Sequence, residues 1–268
     1  MSKRGSSVGQ WFLAIVVLAG AVGGGVYLYQ RALQPPPAQS APAPASSAPA
    51  VREPVAPIEH PLPAVVGTAA DGAPGDGSVV GDLTALAGDA DLASLLIPDD
   101  VIGHIVATID ALPRHGIATR VLPVHTPKGA FFVDEGSEGP VLSARNAARY
   151  AAYIDVVETI SAPAVVRWYV AHYPSFQQAY RDLGYPDGYF NDRLVVVIDD
   201  LLATPDVTGS VPLVQERKHY NFVDPSLQSL SGGQKMLLRS GAVNEARVKA
   251  KLIEIRQALM AQEVGAAR

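Results

Sequence analysis

The chain has 268 residues, a formal net charge of −5 and no cysteine. The missing thiols exclude disulfides, thiolate metal centres and a cysteine nucleophile. From Glu53 to Asp110 there are ten carboxylates and no Lys or Arg, which argues against nucleic acid as a partner, since phosphate binding wants a basic face.

Residues 11–29, from Trp11 to Tyr29, carry no charge. As a helix they would span about 28 Å, near the thickness of a hydrocarbon core. Trp11 stands at one end and Tyr27 and Tyr29 at the other, where aromatic rings favour the headgroups. Lys3, Arg4 and the amino terminus precede the span and only Arg31 follows closely. The positive-inside bias therefore predicts a single-pass anchor with residues 1–10 cytoplasmic and everything after it outside; in a bacterium with an outer membrane that means an inner-membrane anchor and a periplasmic domain. The alternative is a secretion signal cleaved after Ala19-Gly20-Ala21, although the apolar run continues eight residues past that point. Gly20 and Gly24 form a small-xxx-small pair that would allow weak self-association in lipid.

Residues 30–79 are rich in Pro, Ala and Gly. Proline fixes φ and lacks a donor, so an extended, disordered tether is expected. About thirty residues at ~3.1 Å each would reach roughly 90 Å. Residues 80–262 then have the composition of a soluble domain, with 263–268 as a tail.

Within that domain the periodicity predicts a mainly α fold with a few short strands at most. Asp82–Ile97 and Asp99–Leu112 are expected as helices. The second is capped by Asp99 or Asp100 and shows Val101, Ile102, Ile105, Val106, Ile109 and Leu112 at helical spacing. Residues 117–122 and 130–133 are candidate strands. Leu142–Ile160 reads as helix, Ala162–Tyr173 and Pro174–Leu183 as a pair broken at Pro174. Tyr169, Tyr173, Phe176 and Tyr180 step by four, three and four, a stripe that reads first as core. Gly184–Gly188 is turn chemistry. Asn191 is expected to cap a helix over 192–203 with Leu194, Val197, Ile198, Leu201 and Leu202 on one face. Val211–Glu216 is a candidate strand. Ser231 opens a further helix with Gln234 as its capping-box partner. Gly241 interrupts it, and a last helix runs to about Gln262 along Val248, Leu252, Ile255 and Leu259.

Several motifs tempt and fail. Leu230-Ser231-Gly232-Gly233-Gln234 copies the signature of ATP-binding cassette ATPases, but no G-x-x-x-x-G-K-[ST] loop accompanies it, and capping explains Ser231 and Gln234. Asp199 and Asp200 are neighbours on a helix and diverge by about 100°. The six histidines lack metalloprotease spacing, so no metal or cofactor is expected, and Ser143, Ser161 and Ser175 lack a nucleophile elbow. The sequence therefore favours a non-enzymatic binding or envelope-assembly protein whose partner is an envelope protein or a cell-wall component. The alternative is an envelope hydrolase of glycan or peptide using Asp187, Asp192 or Glu216. The candidate partner surface is Tyr185, Asp187, Tyr189, Asp192 and Arg193, because Pro186 and Gly188 force a surface turn that carries aromatics beside both charge signs.

Blocks in a fixed order complete the reading. Leu112-Pro113-Arg114, Tyr173-Pro174 with Phe176-Gln177, Leu183-Gly184-Tyr185-Pro186 and Gly188-Tyr189-Phe190-Asn191-Asp192-Arg193-Leu194 come first. Ile198-Asp199, Leu201-Leu202-Ala203-Thr204-Pro205, Gly233-Gln234-Lys235, Leu237-Leu238-Arg239 and Val248-Lys249-Ala250-Lys251-Leu252 follow. Over roughly residues 80–260 they resemble the bacterial family catalogued as domain of unknown function 3014. The resemblance implies an envelope protein of Gram-negative bacteria with an N-terminal membrane segment, and it carries no activity or site residue with it.

Overall fold

A computed structural model describes residues 57–63, 76–88, 90–116, 118–217 and 219–266. The predicted span 11–29 with Gly20 and Gly24, and most of the predicted tether, lie outside them. Among the described residues, no helix is long and apolar enough to cross a membrane.

The fold is mainly helical, as the periodicity predicts. Helices α1 (Asp76–Ala87), α2 (Val101–Ala111), α3 (Asn146–Arg149), α4 (Ala151–Thr159), α5 (Ala162–Asp182), α6 (Phe190–Leu202), α7 (Pro225–Gln228), α8 (Gly232–Ser240) and α9 (Ala242–Ala266) are joined by two antiparallel hairpins. One hairpin pairs β1 (Val133–Gly136) with β2 (Gly139–Leu142), the other β3 (Leu213–Glu216) with β4 (His219–Phe222). Helix α5 packs on α2 and α9, while α9 also touches α4, α6 and α8. Their apolar faces make one core, with Ile105, Ile109, Tyr169, Phe176, Phe190, Leu194 and Leu252 among its most buried members. A second, smaller core of Val211, Leu213, Phe222, Leu227 and Leu238 lies beneath the hairpins, which meet through a Val141–Pro212 bridge.

Several elements differ from expectation, each for a local reason. The first helix covers 76–87 rather than 82–97. Gly88 takes a left-handed φ of 50° and stops it, and Leu96 instead bridges to Val124 as extended chain. Residues 119–121 form a 3-10 turn and not a strand, and the strand expected over 130–133 begins only at Val133. The expected helix over 142–160 starts late, because Val141 and Leu142 belong to β2, and it divides at Tyr150. Pro174 does not break α5. The helix runs unbroken through it, because the aromatic stripe is buried on both sides of the proline. Tyr169 and Phe176 meet edge to face at 5.1 Å, and Phe176 stacks on Phe190 at 5.8 Å. Asn191 is not a cap: α6 begins at Phe190, with Tyr189 at its N-cap position.

Two sequence signals hold closely. Asp100 caps α2 by accepting from the Gly103 N–H at 3.2 Å. Ser231 and Gln234 form both bonds of a capping box at the start of α8.

Candidate functional site

The candidate surface divides into two halves around the start of α6. One half is built on a buried acid that no sequence motif singles out. Asp110, in the last turn of α2, is only 4% exposed. Arg193 reaches it twice, Nε to Oδ1 at 3.0 Å and a guanidinium N–H to the Asp110 carbonyl at 2.7 Å. Arg114 pairs with the same carboxylate one helical turn on. The Tyr185 hydroxyl donates to Asp110 Oδ2 at 3.2 Å and accepts from Arg114 at 2.8 Å. The Tyr185 ring stacks on Tyr180 at 4.6 Å. A buried carboxylate needs such company, since an unpaired charge off water costs several kcal/mol, on the order of 3–5 when a pair is broken. Tyr185 and Arg193 are therefore anchored side chains, and Tyr185 is half-buried.

The other half holds an extended stretch of the chain itself. Residues 57–63 read Pro-Ile-Glu-His-Pro-Leu-Pro and lie against the N-terminal turn of α6. Both Asp192 carboxylate oxygens accept main-chain N–H groups, from Glu59 at 3.1 Å and His60 at 2.7 Å. Asn191 donates its amide to the His60 carbonyl at 2.8 Å, and the Tyr189 hydroxyl accepts the Leu62 N–H at 3.1 Å. Residues 57–63 fall within the expected disordered tether, so this part of that expectation is corrected: seven of its residues are docked.

A buried network fixes these groups. Asn191 is fully buried and takes the Tyr169 hydroxyl on Oδ1 at 3.2 Å. Tyr173 donates to Gln177 at 2.8 Å, and Gln177 in turn binds the Gly188 carbonyl at 2.7 Å and the Phe190 N–H at 2.9 Å. Burial, and then the hydrogen bond to Tyr189, push the Tyr173 hydroxyl well above the usual tyrosine range, so it stays a neutral donor. Burial does the same for Tyr169. Gly188 has no room for a side chain, because a Cβ there would sit 2.8 Å from the Tyr180 ring.

Alongside the docked stretch runs an open groove of about 590 Å³. Its walls include Tyr173, Pro174, Tyr189 and Pro186, with Arg181 and Asp187 also at its lining. Of the three carboxylates of the hydrolase alternative, Asp187 and Asp192 line this groove, whereas Glu216 ends β3 in the other hairpin. Asp192 already holds two N–H groups. Among the described residues no three or more His, Asp or Glu side chains converge as metal ligands.

The ATPase-like segment has a different use. Gly232 and Gly233 donate their N–H groups to the Arg114 and Leu112 carbonyls at the end of α2. The Ser231 hydroxyl binds Asp200 at 2.8 Å, and the Gln234 amide binds the Asp200 carbonyl at 2.8 Å. The motif is a helix start docked on α2 and α6, with its donors engaged inside the protein.

Fold and site together define a helical domain that presents a peptide-cradling edge built on α5 and α6. The chain belongs to the family described as a protein of unknown function (DUF3014), whose match covers residues 101–256. That match includes α2, α5, α6 and α8, hence every residue of the Asp110 cluster and the groove walls other than those of the docked stretch. No curated protein and no solved structure matches the chain.

Proposed function

We propose that this protein is a membrane-tethered envelope protein whose helical domain binds a partner through the edge formed by Tyr185, Asp187, Tyr189, Asp192 and Arg193. The apolar, uncharged run 11–29 and the charge asymmetry around it support one inner-membrane span with the domain in the periplasm. One observation carries the binding reading: the edge already grips an extended stretch of polypeptide by its main-chain atoms, through Tyr189, Asn191 and Asp192. Side chains arranged to take a strand's N–H and C=O groups are recognition chemistry. The partner is an envelope protein or a cell-wall component.

Topology and binding are tested separately. A reporter active only in the periplasm should work when fused after Arg268 and fail when fused at residue 5. Activity of both fusions, or a mature chain beginning at Val22, contradicts the uncleaved anchor. For binding, Asp187→Lys reverses a charge at the groove without touching the Asp110 cluster. It should leave the melting temperature within about 1 °C, as exposed substitutions do, while weakening cross-linking to the partner in cells. Unchanged cross-linking contradicts the assigned surface.

A further inference from the structure

The docked stretch is matched to its groove position by position. Its prolines stand at 57, 61 and 63. The main-chain N–H groups taken by the groove belong to 59, 60 and 62. Proline has no N–H to give, so the bonds fall on the other residues, and three of those four are held. The bonds to the segment from Asp192, Asn191 and Tyr189 all go to its main chain. Leu62 packs against the core edge, but Ile58 is 53% exposed. Recognition by Asp192, Asn191 and Tyr189 therefore follows backbone shape, as in other sites that read extended, proline-bearing strands. The groove of about 590 Å³ is lined by Pro57 and Ile58 together with Tyr173, Pro174 and Tyr189, and Arg181 and Asp187 also line it. It gives side chains beside positions 57 and 58 apolar walls, one guanidinium at Arg181 and the carboxylates of Asp187 and Asp192.

We infer that the start of α6 is a receptor for an extended, proline-containing segment of a partner protein, that residues 57–63 are its competing occupant in cis, and that the groove beside them takes side chains of the partner segment. The inference rests on the binding reading above and names the chemistry of the partner: N–H groups at the spacing of 59, 60 and 62, one proline between the last two of them with others flanking, and an apolar residue at the place of Leu62. A cis occupant on a short connection acts at an effective concentration on the order of millimolar. A partner strand must therefore bind more tightly than the self-segment, which filters out weak peptides.

The probe is a fluorescein-labelled heptapeptide with the sequence of residues 57–63, added to the full chain. Binding by the natural chain should be weak. Glu59→Pro with His60→Pro removes both N–H groups held by Asp192, and this chain should bind the probe at least about tenfold more tightly. Adding Asp192→Ala should abolish the gain. Equal binding by the natural and double-proline chains, with an unchanged melting curve, overturns the inference. If the double-proline chain does not fold, hydrogen exchange on the natural chain decides. Saturating heptapeptide should release protection at the Glu59, His60 and Leu62 amides, and unchanged protection overturns the inference. Light scattering separates a second source: a doubled mass at high protein concentration, with exchanged 57–63 segments, would make another copy of this chain the occupant and overturn a distinct partner. Failure of the probe with position-specific cross-linking at Asp187 intact would leave the binding surface standing and sink only this chemistry.

Discussion

At the scale of single residues, Asp110 does more than its place in the sequence suggests. Its carboxylate gathers Arg193, Arg114 and Tyr185 from elements up to 83 residues away, which is why no local pattern announces it. Asp110→Ala would take from two guanidinium groups the carboxylate they share, leaving Arg193 the residue-110 carbonyl and Arg114 the Tyr185 hydroxyl. Arg193 is a quarter exposed at its side chain and Arg114 more than half, so water softens the loss. The expected cost is about 2–3 kcal/mol, below the full range for broken buried pairs. Denaturant unfolding of Asp110→Ala, Arg193→Ala and the double variant should give a coupling above about 1 kcal/mol. Additive effects would reduce the cluster to surface decoration. Gly233 makes a second residue-scale case. A Cβ there would lie 2.6 Å from Leu201 Cδ2 and 3.2 Å from Leu112 Cδ2. Gly233→Ala should therefore destabilise by about 1–3 kcal/mol, and chemical denaturation should show it without any nucleotide present. A neutral Gly233→Ala would remove close helix packing as the reason for this glycine.

Among the elements, α5 gives the sharpest expectation. Pro174 removes the N–H that would bond the Val170 carbonyl, and a helix-interior proline costs on the order of 3 kcal/mol. The aromatic packing of Tyr169, Phe176 and Tyr180 outweighs that cost and keeps 162–182 as one helix. Pro174→Ala should raise stability by about 1–2 kcal/mol in a melting or denaturant series. A loss of stability would mean that the proline ring in the groove wall contributes more than the missing hydrogen bond. The same element shows where sequence reading succeeds and fails. Long stripes were legible: Val248, Leu252, Ile255 and Leu259 are all buried on α9, and Leu194, Val197, Ile198 and Leu201 are buried on α6. The β-branched run 195–198 is helical because that 3.6-residue stripe and its buried face prevail over strand propensity. The β3–β4 hairpin was only half legible, since its turn places Arg217 at a φ of 56° where Gly or Asn would have signalled it. Asn191 looked like a cap, yet it is buried inside α6 to hold Tyr169 and His60. Of the candidate surface, the turn was legible from Pro186 and Gly188. Its division into an Asp110-anchored half and a strand-holding half was not, because both depend on contacts across 75 to 133 residues of sequence.

At the scale of the whole molecule, one stretch of the predicted tether is part of the domain's surface. Residues 57–63 lie on the domain they were expected only to carry, at the same edge the turn chemistry marks for a partner. A three-proline run reads as spacer by composition alone, and the helix start that receives it lies some 130 residues later. Self-segment and partner thus compete for one site in the proposed account, and the double-proline change should raise capture of the natural partner in cells. The direct measurement is a photo-cross-linker introduced in cells at Asp187, at the groove, and in parallel at Val243, which is 64% exposed at the start of α9. The account predicts cross-links from position 187 to a proline-containing segment of an envelope protein, lost when the 57–63 heptapeptide is added in excess to permeabilised cells. Cross-links of equal yield from both positions, or products from 187 that the heptapeptide does not compete away, would contradict it.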